Sequence, residues 1–419
     1  MFDLPPRDAN TPQPGLLGRL VHGWSPVIGR DLRPLGVRVM IGNCATPGSA
    51  GGGSMAATLD AVMSGFVAEG GVSFPHGLVV LAPQDIALDE SMLTWRAPRN
   101  VVLELPASVL SDEEALRQVF EVQRHGMRLA LRLSDRDAAP DATRRAVFQY
   151  LVVEARRLLD AGAPLKSGDA LVLAIDGESH SEAQKAIAAG AHGIVGWALV
   201  APAALEGRAL APTQRSVLDL IRLVQSDADV DELETSFKNE PLLAYMLLTL
   251  ANSPAFVRVT PIASLRHAIT LLGYRRLVKW LVLLMVVASK DARALPQIYS
   301  AVARGFLMEN LATAAGAPAN AQDESFVVGA FSLLGAITGQ TLPALLEQVQ
   351  LPDAVGRALL HREGQLGSFL KLALAVECSR PSRGEAVLAA AREVQIDLEA
   401  VNRALLQALS ATDALQSVV

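Results

Sequence analysis

Between Val37 and about Pro202 the chain repeats one pattern, a short β-rich apolar run followed by a stretch with helical spacing. VRVMI precedes Met55 to Glu69, LVVLA (Leu78 to Ala82) precedes a helical turn, and VVLEL (Val101 to Leu105) precedes Asp112 to His125. RLALRL (Arg128 to Leu133) leads into Ala142 to Ala161, ALVLAI (Ala170 to Ile175) into Ser181 to Ala189, and HGIVGWALV closes the series. Strands that are continuously apolar, not alternating, belong to parallel sheets covered by helices. With six or more such units a closed or nearly closed barrel is favoured over an open sheet.

The segment Ala201 to Arg215 breaks the pattern with prolines and a glycine, and strand signals vanish after it. Val230 to Glu240, Pro241 to Ala251, Ser264 to Leu272, Tyr274 to Ser289 and Leu295 to Ala315 have helical apolar spacing. So do Asp323 to Thr338, Leu342 to Val349, Gln365 to Cys378 and Arg383 to Val394. Ser264 is placed to cap a helix start, and Gly273 to end that helix at a sharp corner before Tyr274. The Pro-rich first ~30 residues show no periodicity. The expected division is a flexible leader over 1–30, a (β/α) barrel over 31–205, a linker over 206–215 and an all-α domain over 216–412.

The 419 residues, 51% hydrophobic and 19% charged, supply ample material for two cores. A net charge of −6 argues against a surface built to neutralise phosphates, so no nucleic-acid partner is expected. Arg275, Arg276 and Lys279 beside Trp280 read as a solvated helix edge. Cys44 and Cys378, far apart, make neither a disulfide framework nor a Cys-rich zinc site, and a reducing cytoplasm fits best. MFDLPPRDAN has no signal-peptide pattern, and the apolar run Leu281 to Ala288 falls far short of the ~20 residues that span a bilayer. No membrane insertion is expected.

The run Asn239 to Val287 pairs an acidic-Pro helix start with an Asn252-Ser253 turn, then an Ile-x-Ser-x-x-x-Ala-x-x-x-x-Gly block at Ile262, Ser264, Ala268 and Gly273. It resembles the HDOD domain of bacterial signalling proteins, a resemblance that extends from about Val217 to Ala411 through LPDAVGRALLHREGQLGSFLKLALAVE. A related family of metal-dependent phosphohydrolases carries a His-Asp pair where FVVGAFSLLG (Phe326 to Gly335) has Ser332-Leu333. A hydroxyl and an isobutyl group cannot hold a divalent cation.

VVLELPASVL, GMRLALRLSD and LVLAIDGESHSEAQKAIAAGAHGIVGWALVAPA are in turn similar to strands of the EAL family, which hydrolyses cyclic di-GMP. The resemblance implies a degenerate TIM-like barrel of EAL type ahead of the HDOD domain. Only Glu104 stands where that family holds a metal; its Asp pair falls on Arg132-Leu133, a later Glu on Ile175 and a Gln on Val195. The first strand, VRVMIGNC, contains no acid. Clamping two metal ions needs several oxygen ligands, and one carboxylate does not supply them.

Gly51-x-Gly53-x-x-Ala56 superficially fits a dinucleotide loop, but about eight irregular residues separate it from the strand, and a loop is the better reading. His267 has Leu271, not a ligand, at i+4, and reads as a surface or partly buried histidine. His361 reads as a surface group at a helix end, and Glu104 as a relic or strand-end acid. No G-x-S-x-G elbow, P-loop or H-E-x-x-H occurs. The expected function is that of a non-enzymatic signalling scaffold without catalytic residues, metal or cofactor. Its expected partners are a sensor kinase, a cyclic-di-GMP enzyme or a regulator. A non-hydrolysing nucleotide receptor built on the barrel mouth is the alternative, followed by a residual phosphodiesterase.

Overall fold

The computed structural model describes residues 15–43, 54–67, 74–84, 88–160, 168–201, 212–240, 243–245, 247–248, 262, 264–287, 292–347, 351–378 and 384–416. Eight strands close into one barrel in sequence order: β1 (Leu20–Gly29), β2 (Pro34–Asn43), β3 (Leu78–Pro83), β4 (Val101–Pro106), β5 (Arg128–Leu133), β6 (Tyr150–Glu154), β7 (Leu171–Ile175) and β8 (Gly193–Val195). From β2 to β8 every neighbour is parallel, while β1 runs antiparallel to both β2 and β8. Side chains alternate in and out along a strand, so the cluster of Val27, Val80, Val102, Ala130, Val152, Leu173, Ile175 and Val195 marks the barrel interior. Helices α1 (Met55–Phe66), α2 (Glu113–Arg124), α3 (Ala142–Arg145), α4 (Ala155–Asp160) and α5 (His180–Ala188) fill the crossovers. Ser54, Asp112, Asp141 and Ser179 cap α1, α2, α3 and α5 through their side-chain oxygens.

Two expectations fail here. Residues 15–30 are no flexible leader: they form a short 3-10 turn and β1, and residues 1–14 lie outside the described residues. Pro26 and Gly23 hide the strand in sequence, yet β1 tolerates Pro26 next to a register shift at Val27/Ile28. Ala142 to Ala161 is not one helix either, because Tyr150–Glu154 turns inward as β6 between α3 and α4. The aromatic and β-branched run Tyr-Leu-Val-Val decides it.

The region after the barrel is all-helical: α6 (Pro212–Gln225), α7 (Val230–Lys238), α8 (Leu265–Val287), α9 (Leu295–Ala314), α10 (Ala319–Phe331), α11 (Leu334–Thr338), α12 (Leu342–Glu347), α13 (Asp353–His361), α14 (Gly364–Val376), α15 (Gly384–Glu393) and α16 (Leu398–Gln416). The end of the expected linker, 212–215, is therefore helix, whereas 206–211 lie outside the described residues, as do Asn252, Ser253, Gly51 and Gly53. Ser264 accepts from the His267 amide at 3.2 Å, Ala268 is buried, and Gly273 breaks α8 at φ 68°. This is the corner the sequence implies. Among the described residues no helix is long and apolar enough to cross a membrane.

Barrel and helices share one continuous hydrophobic cluster. The reason is topological. A tight hairpin joins β1 to β2, so no crossover helix covers their outer side, and α9, α14 and α16 pack there instead. Buried polar groups fix α16 along its length. The Asn402 amide donates to the Leu17 and Leu20 carbonyls, both at 2.8 Å, and its oxygen accepts from the His22 backbone at 3.2 Å. Ser410 Oγ donates to the Phe66 carbonyl, and Asp413 accepts from the His76 and Gly77 amides below β3.

His22 sits in this seam with no exposure, and neither ring nitrogen has a hydrogen-bond partner among the described residues. Burial pulls its pKa down to about 4, with the neighbouring Asn402 side chain opposing the shift. The imidazole is therefore neutral when folded, while the unfolded chain takes up a proton below about 6.5. Its contribution to stability is complete above about pH 6.5 and is lost as the pH falls to about 4, a swing of about 3 kcal/mol. Urea denaturation at both ends of that window should show a pH slope that shrinks by this amount in His22→Gln; an unchanged slope contradicts the assignment.

Candidate functional site

Arg38 projects from β2 into the barrel, and Glu104 from β4 reaches the same interior. Arg38 Nε donates to Glu104 Oε2 and Nη2 to Oε1, both at 2.6 Å, a fork in which both carboxylate oxygens are engaged. Their side chains are 0% and 2% exposed. Burial pulls the Arg38 pKa down, but the Glu104 charge and hydrogen bonds outweigh it, and the pKa is raised overall. On the intervening strand Val80 lies opposite Arg38, and the buried Ala82 lies opposite Met40.

Arg132 follows on β5, with Nη2 3.9 Å from Asp176 Oδ2 just past β7. Asp176 adopts φ 60°, the left-handed conformation that Asp tolerates better than most residues. Glu154, ending β6, completes the group with Asp135. Burial raises the Glu154 pKa, the Asp135 and Asp176 charges add to the rise, and Arg132 opposes it. Of the other positions singled out in the sequence, Ile175 and Val195 join the interior cluster, while Leu133 packs into the layer between strands and helices.

A second fork lies in the helical region. Arg304 of α9 donates from Nε and Nη2 to the two oxygens of Glu377, both at 2.6 Å, and from Nη1 to Ser332 Oγ. Ser332 in turn donates to the Gly329 carbonyl, and Leu333 packs against the Ile298, Ala301, Val302 and Ile337 cluster. Thus Ser332, one of the two positions set against a His-Asp pair in the sequence, touches an arginine. Burial raises the Glu377 pKa, and the Arg304 charge tempers the rise.

One turn joins the two forks. Glu377 makes a parallel bridge to Trp24 of β1, and next to it Cys378 packs on Met40 and Ala82 at the barrel mouth. Gly23 makes this contact possible, since a Cβ there would collide with the Cys378 sulfur. Trp24 also packs edge-on against Trp197, just beyond β8, with centroids 5.1 Å apart.

Sequence reading found Glu104, Arg132 and Ser332 but missed Arg38, Glu154, Asp176, Arg304 and Glu377. The available signal was Arg38 itself, a charge inside an apolar strand, which cannot be buried alone. His267 and His361 are exposed, consistent with surface roles. Among the described residues no group of three His, Cys, Asp or Glu side chains is arranged to hold a metal ion.

Residues 210–362 match the family profile of the HDOD domain, so the helical region carries that domain. Over 233 residues the chain is 28% identical to the cyclic di-GMP phosphodiesterase CdgJ of Vibrio cholerae, a match covering 55% of this chain and 53% of that protein. The chain spans about half the length of the curated relatives it matches. A crystal structure of an HDOD domain protein of unknown function from Geobacter sulfurreducens is 13% identical, with a TM-score of 0.34 over 50% of this chain and 94% of that one. A manganese and cyclic di-GMP complex of Klebsiella pneumoniae BlrP1 is 13% identical, with a TM-score of 0.32 over 43% of this chain and 55% of that one.

Glu104→Ala, which strands a buried guanidinium, should lower unfolding free energy by about 3–5 kcal/mol, and Arg38→Met with Glu104→Leu should recover most of the loss. Denaturant titration reads both. A stable Glu104→Ala protein would mean that the pair is not formed. In a Cys44→Ser background Cys378 is the only thiol. It should react slowly with a disulfide reagent, and at least about tenfold faster once Arg304→Ala leaves Glu377 without its cation. Fast labelling of the parent protein would show that the turn does not close the mouth.

Proposed function

We infer that this chain is a non-hydrolysing relative of the cyclic di-GMP phosphodiesterases and works by binding other signalling proteins. The Arg38–Glu104 fork carries the reading. Two-metal phosphoryl chemistry needs several oxygen ligands around the ions, and both oxygens of Glu104 are committed to a guanidinium. A divalent ion brought there would meet a fixed positive charge in a medium that screens poorly. The residues present do not fit the metals of the resembled family.

The Glu377–Cys378 turn supports the same conclusion, because it covers the barrel mouth beside β2 and β3. The helical region repeats the arrangement, with Arg304 bonded to Ser332. Two enzyme-like scaffolds whose interiors are held by arginine forks leave function to outer surfaces. Sensor kinases, cyclic-di-GMP enzymes and regulators are the partners this implies.

The test is incubation of the purified chain with cyclic di-GMP and Mg²⁺ or Mn²⁺, with and without chelator, and chromatography of the products. The expected rate equals the blank in both; chelator-sensitive linearisation contradicts the reading. Calorimetry on the same sample should give no heat with cyclic di-GMP at high micromolar concentration. Saturable heat without turnover would instead make the chain a nucleotide receptor.

A further inference from the structure

At the opposite end of the barrel, where β4, β5 and β7 begin, two grooves of about 390 and 490 Å³ adjoin along Arg128. Arg96 and Arg99 line the first and Arg145 the second, where Asp169 is the single acid among the lining residues. The second groove also exposes Leu171, at 41% of its surface. In a chain of net charge −6 this is a local reversal of sign.

The partners of Arg96 and Arg128 distinguish them from other arginines on the same barrel. Arg117, Arg124, Arg144 and Arg156 each face a carboxylate on or beside their own helices. Arg96 instead donates to the Leu93 and Trp95 carbonyls, and Arg128 to the Arg99 carbonyl and the Tyr150 hydroxyl. Those bonds fix the guanidinium planes without neutralising them. Among the described residues neither Arg96, Arg99 nor Arg128 pairs with a carboxylate.

From this we propose that the Arg96–Arg99–Arg128–Arg145 trough is the docking surface for an acidic segment of a partner protein, one that also carries an apolar residue to cover Leu171. Oriented guanidinium groups match carboxylates bidentately, and an exposed leucine beside them favours an acidic and apolar peptide over a purely charged polymer. The trough lies away from the Cys378 contact, so docking requires no opening of the mouth. The inference rests on the reading of the chain as an interaction protein and names the chemistry of its partner.

The experiment is fluorescence anisotropy on the full chain with three labelled probes: a Glu- and Leu-containing peptide, the same peptide with Lys for Glu, and a single-stranded oligothymidylate. The acidic peptide should bind most tightly, and weaken by about tenfold or more in the double variant Arg96→Glu, Arg99→Glu and at high salt, with the thermal midpoint unchanged. Equal binding of the two peptides, indifference to the charge reversal, or tighter binding of the oligonucleotide overturns the proposal. These outcomes are separate from the hydrolysis assay. Chelator-sensitive turnover would end the non-hydrolysing reading even if the acidic peptide bound, and loss of peptide binding with no turnover would end only this proposal.

Discussion

A guanidinium and a carboxylate sealed together inside a barrel govern what the rest of this molecule can do. Neither Arg38 nor Glu104 could be buried alone, because an uncompensated charge in that interior costs several kcal/mol. Together they satisfy one another through two short bonds, and both carboxylate oxygens are engaged. The same solution recurs in the helical region, where Arg304 holds Glu377 and Ser332. In each case a cation that is part of the chain stands against the acid, and its position is fixed by the fold.

The two forks are joined by covalent sequence as well as by analogy. Glu377 belongs to one fork, and Cys378 touches the barrel residues beside the other. Around this turn, α9, α14 and α16 cover the outer side of β1 and β2, which a hairpin leaves without a crossover helix. The hydrophobic cluster consequently runs through both halves, with Asn402, Ser410 and Asp413 pinning the last helix to the barrel.

Much of this was legible in the sequence. Strands β2 to β5, β7 and β8 stand out as apolar runs, and Gly273 announces the corner in α8. Strand β1 was not legible, because Gly23, Ser25 and Pro26 interrupt its apolar pattern, although its main partner β2 follows directly through a hairpin. Strand β6 is short and flanked by helix formers, so its five residues merge into a helical reading. At the site, a search for missing acids located Glu104 but passed over Arg38, whose meaning depends on a partner 66 residues away. Arg304 and Glu377, 73 residues apart, escaped for the same reason. Long-range ion pairs leave no spacing signal, and only the oddity of a charge in an apolar strand hints at them.

The most direct measurement is Mn²⁺ binding to the purified chain, followed by electron paramagnetic resonance of the free ion. If Arg38 holds the Glu104 carboxylate, no saturable site depends on Glu104, and the Glu104→Gln protein takes up no less Mn²⁺ than the parent. A saturable Mn²⁺ site that disappears in Glu104→Gln would mean that the carboxylate is available to metal, and the account would be wrong at its centre.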